Sequence, residues 1–284
     1  MSESPRRTFA GPRRRGLLAA VAAISALLVV SGPVQAHDYW LEFAPLRPAP
    51  GDELALSLWV GEDFAPTEEK PMQRARMVAL RHITRDDDVD LLPGAREGAT
   101  PLQRVKLHAA GGHLLAVERD PSHITLRALK FNKYLKHEGL LAALAERRRA
   151  GERLRRASER YTRYLKAFVQ VGDEADGVST RVVGHRIELV PERDLATLAV
   201  GERLALAVRF EGKALPGVQV EAFGRGPDGR ARGQVALSDA AGRVEFVVGA
   251  GGAWVVRTVH MQRCTGCADA QWESFWTAYS FAVR

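Results

Sequence analysis

A mainly β fold is what this sequence predicts: two immunoglobulin-like β-sandwich domains with a helical insertion. Three observations carry it. Short alternating apolar runs, parted by Gly, Pro and Asp clusters, fill residues 37–120. A proline-free stretch rich in Ala, Leu, Glu and Arg then runs from about 129 to 165. From His185 onward the alternating runs return. Side-chain alternation with period two marks a half-buried strand, and many short strands with frequent turn signals mark a sandwich.

Taken in order, Glu53 to Val60 alternates with Leu54, Leu56, Leu58 and Val60 on one face. Met77 to Ile83, Gln103 to Leu107 and His113 to Val117 follow as further strands. The helical insertion carries an apolar stripe of Leu135, Leu140, Leu141 and Leu144, with Gly139 and Gly151 as breaks. Its charged run, Glu146 to Arg149 and Glu152 to Arg156, alternates sign. That pattern reads as a solvated, salt-bridged helix face rather than a binding patch. Tyr161 to Val171 returns to a strand-like pattern. Beyond a boundary near residue 183, strands are expected at Ile187 to Val190, Leu204 to Phe210, Val218 to Val220, Val244 to Phe246 and Trp254 to Arg257. The expected division is therefore 1–36, 37–183 and 184–284.

The first segment has the parts of a signal peptide. Five arginines between Arg6 and Arg15 precede an apolar run from Gly16 to Val30, and Val34-Gln35-Ala36 ends with a small residue suited to cleavage. The run is short of the roughly 20 residues that span a bilayer. Arg14-Arg15 also resembles a twin-arginine signal, a second export route. A periplasmic or secreted location follows, with a mature chain that does not span the membrane. Of the 41 basic and 34 acidic residues, the first 36 positions hold five Arg and one Glu, which leaves a mature net charge of +3. So mild an excess predicts no nucleic-acid partner. In an oxidising compartment Cys264 and Cys267 form a local disulfide rather than half of a zinc site.

Cleavage after Ala36 would make His37 the first residue. Its α-amine, with a pKa near 8, and its imidazole can then chelate one metal ion. A further imidazole would complete a three-nitrogen histidine brace, a donor set that favours Cu(II) or Ni(II). His260, at the end of the alternating run from Trp254, is the expected partner. Asp38 and Glu273 are further candidates for a ligand or for its support. Gly-x-Ser-x-Gly, His-Glu-x-x-His and phosphate-cradling glycine motifs are missing from the sequence.

His37-Asp38-Tyr39-Trp40-Leu41-Glu42, Val60-Gly61-Glu62-Asp63-Phe64, Lys130-Phe131-Asn132-Lys133-Tyr134-Leu135, Val259-His260-Met261 and Trp272-Glu273-Ser274-Phe275-Trp276 resemble the domain-of-unknown-function 4198 family. The resemblance implies an exported β-rich protein. It also implies a loose grouping with periplasmic nickel and cobalt uptake. The expected function is therefore a periplasmic carrier that hands nickel, cobalt or copper to a membrane transporter. A copper redox enzyme built on the same brace and a metal-free binding module are the alternatives.

Overall fold

The computed structural model describes residues 38–284, together with Met1. The alternating segments form strands almost where their patterns place them, in three sheets. The first sheet holds β1 (Asp38–Ala44), β2 (Glu53–Glu62), β3 (Ala65–Lys70) and β6 (Gln103–Lys106). The second contains β4 (Met77–Ile83), β5 (Asp88–Asp90), β7 (Gly111–Leu126), β8 (Ala157–Val171), β12 (Gln219–Arg225), β13 (Ala231–Leu237), β15 (Gly252–Arg263) and β16 (Trp272–Val283). The third is built from β9 (Ile187–Pro191), β10 (Arg203–Phe210), β11 (Lys213–Ala214) and β14 (Arg243–Val247).

The eight-stranded second sheet is the middle layer, in the order β13-β12-β15-β16-β8-β7-β4-β5. Against one face pack Trp40, Leu54, Leu56 and Leu58 of the first sheet, meeting Leu80, Leu115, Val117, Leu165 and Val255. Against the other pack Leu189, Leu204, Leu206, Val208 and Phe246 of the third sheet, meeting Leu114, Phe168, Val256, Tyr279 and Phe281. Successive residues of one strand thus serve opposite cores, as the two-residue period requires. Double burial explains why β16 is buried along nearly its whole length.

The expected boundary near residue 183 does not divide the sheets. β8 pairs in parallel with β16, from Trp272 opposite Glu159 to Ser280 opposite Ala167. Strands from both sides of residue 183 therefore share the middle layer, and the described residues 38–284 lie in one compact unit. The mainly β class and the helical insertion hold. The sandwiches are two cores against one shared sheet.

The insertion consists of α1 (Ala128–His137) and α2 (Leu141–Arg149). Gly139 and Gly151, both at positive φ, end the two helices. The helical reading ran too far, because residues 157–165 already belong to β8. Phe131, Leu135, Leu140 and Leu144 pack on Val259, Met261, Trp272 and Trp276. By strand parity with Val255, Val259 and Met261 lie on the face covered by the first sheet, so the helices extend that layer. Among the described residues no helix is long and apolar enough to cross a membrane.

Candidate functional site

β1 is an edge strand, and its first residue sits where the first sheet meets the helices. Asp38 pairs with Gly61 in the ladder. Its buried side chain reaches the middle sheet, where Arg257 Nη1 lies 2.9 Å from Asp38 Oδ1. The same Nη1 lies 2.8 Å from Glu138 Oε2, just past the end of α1. Nη2 lies 2.8 Å from Glu221 Oε2, which faces Arg257 across the β12–β15 ladder. One guanidinium thus gathers three carboxylates, all largely buried. Ionised together, they would leave the cluster with a negative excess.

The titration directions follow from that crowding. Burial lifts the Asp38 carboxyl to about 7, against the pull of Arg257, and Glu138 and Glu221 add to the rise. For Glu138 burial acts upward, but bonds from His137 and Arg257 outweigh it and hold the group below its usual value. His137 Nδ1 lies 3.0 Å from Glu138 Oε1, and that bond raises the imidazole. Burial opposes the charge on Arg257, yet the three carboxylates hold its pKa above the usual guanidinium value. A groove of about 380 Å³ opens beside the cluster, lined by Asp63, His137, Glu221, Phe223, Gly233 and Val235.

Next to Asp38, the ring of Tyr39 is covered by the Arg163 guanidinium at 3.8 Å. Arg163 also stands over Tyr161 at 4.7 Å.

Of the four residues expected to carry a metal site, the three that the structure describes are not gathered at one place. His37 lies outside the described residues. Asp38 joins the Arg257 cluster. His260 is three positions from Arg257 on β15 and so points to the opposite face. Its ring stands 4.6 Å from Phe210 and 6.5 Å from Phe275, and burial lowers its pKa. Glu273 shares that face: Gln262 donates to its Oε1 at 2.8 Å, and Arg160 Nη2 lies 3.2 Å from its Oε2. His260 and Glu273 are thus neighbours, while Asp38 is across the sheet. Cys264 and Cys267 form the expected disulfide in the β15–β16 connection.

Several residues escaped the sequence reading. His137, Glu138, Glu221 and Arg257 make the cluster around Asp38. The available signal was a charged residue inside an apolar strand, Glu221 between Val220 and Ala222 and Arg257 between Val256 and Thr258. His82 and His113, 31 positions apart in the chain, meet at 2.9 Å with stacked rings. Among the described residues no group of three or more His, Cys, Asp or Glu is arranged to hold a metal ion.

Comparison with known proteins adds the following. No curated protein matches. Among solved structures, the D0-D1 domain of intimin aligns at 10% identity, covering 86% of this chain and 97% of that one, with a TM-score of 0.21. A tetra-tandem repeat from the extending region of a large adhesion protein aligns at 12% identity, covering 86% and 49%, also with a TM-score of 0.21. Superpositions that weak bear on neither fold nor function. A family model, by contrast, matches residues 34–262, so the chain belongs to the family described as domain of unknown function DUF4198.

Proposed function

We propose that this is an exported metal-binding protein that takes up a divalent transition-metal ion, nickel, cobalt or copper, at the N-terminal end of β1 and passes it to a membrane transporter. The observation that carries the proposal is the set of three carboxylates around a single guanidinium at Asp38, the residue that follows His37. Three carboxylates that share one guanidinium, with Asp38 giving up its proton only near pH 7, favour the arrival of a further cation. The amine and imidazole of His37 supply the chelate, with the ion as cargo. The geometry favours His137 over His260 as the second imidazole, since His137 stands at the groove beside Asp38 and His260 faces the other way.

A carrier fits better than a copper oxidase. Tyr39 or Trp40 would border an open coordination position in such an enzyme, but the Tyr39 ring lies under Arg163 and Trp40 is buried in the core. Native mass spectrometry of the exported protein, with nickel, cobalt or copper supplied, tests the reading. The expected result is a chain starting at His37 with one ion bound. His37→Ala should abolish binding, His137→Ala should weaken it by at least about tenfold, or roughly 1.4 kcal/mol, and His260→Ala should leave it unchanged. A chain that starts elsewhere, or stays metal-free with all three ions, refutes the proposal.

A further inference from the structure

The helical insertion is unusual in how its charges are spent. Its three carboxylates pair chiefly with arginines of the middle sheet. Glu138 pairs with Arg257, while Glu146 and Glu152 both pair with Arg263 of β15, at 2.6 and 2.9 Å. Arg147 is buried under the sheet-facing side of the helices, over the Phe131 ring, and donates to the carbonyls of Glu152 and Arg155. The salt-bridged outer face expected from the alternating sequence therefore does not form. The remaining lysines and arginines of the segment point outward, and none pairs with a carboxylate among the described residues.

Those cations surround an apolar groove. Lys133 and Lys136 of α1, Arg148 of α2 and Arg153 of the following loop line a cavity of about 390 Å³ together with Leu129 and Leu154. Leu129 is 82% exposed and Leu154 is 89% exposed. Leucines that protrude this far cannot be explained by the core beneath them. Lysine and arginine stems that keep their charge at the level of the headgroups, around leucines that enter the apolar boundary, are the pattern of an interfacial membrane element.

We propose that this face docks the protein on a bilayer surface that carries anionic phospholipids. Leu129 and Leu154 enter the interface, and Lys133, Lys136, Arg148 and Arg153 meet the phosphate-bearing headgroups. The choice of a bilayer over an acidic protein rests on the two protruding leucines, whose exposure suits insertion, and on the cations that line the groove beside them. Each lysine or arginine near such a surface adds to the attraction, and salt screens it.

A local probe on the full chain tests this independently of the N-terminal segment. Leu154→Cys labelled with an environment-sensitive nitrobenzoxadiazole dye should brighten and shift blue with vesicles of equimolar phosphatidylcholine and phosphatidylglycerol, and stay unchanged with pure phosphatidylcholine. The same dye at Val235→Cys, exposed on β13, should not respond. Reversing Lys133, Lys136, Arg148 and Arg153 to Glu should weaken the response at least about tenfold, with circular dichroism unchanged. An unaltered response in that variant overturns the proposal. So does a dye signal that soluble polyglutamate elicits and anionic vesicles do not, which would assign the face to an acidic polymer.

Discussion

Glu159 offers the cleanest test of how the middle sheet tolerates charge. It lies on β8, only 2% exposed, between the helices and the sheet. Tyr134 donates to its Oε1 at 3.0 Å, and Ser274 Oγ bonds to the same oxygen. Burial raises its pKa from 4.5 to about 7, and the bonds from Ser274 and Tyr134 only partly offset the rise. A folded-state pKa above the unfolded one means the folded state holds the proton more tightly. Stability from this group therefore grows as pH falls from above 7 to about 4.5, then levels off. A separation of about 2.5 pK units corresponds to a penalty of about 3 kcal/mol for the charged form above pH 7. Glu159→Gln removes the charge and keeps an acceptor for both hydroxyls. The variant is expected to be more stable than the parent by up to about 3 kcal/mol near pH 8 and about equal to it near pH 4.5. Urea unfolding of both proteins across that range gives the difference, in which the contributions of the other titrating groups cancel. A difference that is constant with pH, or that grows as pH falls, would refute the account.

Two further outcomes are expected. Lys166→Met should cost about 3–5 kcal/mol in urea unfolding, because it leaves the Glu188 carboxylate buried without its ammonium at 2.8 Å, and pairing it with Glu188→Leu should recover most of that loss. Gly61→Ala should destabilise the first sheet by about 1–3 kcal/mol in a thermal melt, since the new Cβ would stand 2.0 Å from the Ala65 carbonyl oxygen and 2.8 Å from the Trp40 ring. An unchanged melt would show that the bulge at Val60 and Gly61 can relax around a side chain.

Local patterns were legible where one face of a strand is wet. The alternation of Leu54, Leu56 and Leu58 foretold β2. The insertion was legible through its composition and its two glycine breaks. The pairing order of the middle sheet could not be read, because a strand buried on both faces presents a near-continuous apolar run whatever its neighbours are. The parallel pairing of β8 with β16 joins residues 113 apart, Glu159 with Trp272, and leaves no local mark. For that reason the two expected domains merged into one unit.

The candidate site divides the same way. That Asp38 and the residue before it are candidates for cation binding was read from residue type and position in the chain. That Asp38 faces Arg257, Glu138 and Glu221, and not His260, follows from strand parity on β15 combined with the packing of β1 over it. Likewise the sequence alone showed an insertion dense in arginine and glutamate, while Arg263, more than a hundred residues away, decided which cation Glu146 and Glu152 pair with. Residue type sets which charges exist and which faces are apolar, because those properties are local. Their pairing is set by long-range packing of the three layers, since a buried charge settles on whichever partner the fold brings within hydrogen-bond reach.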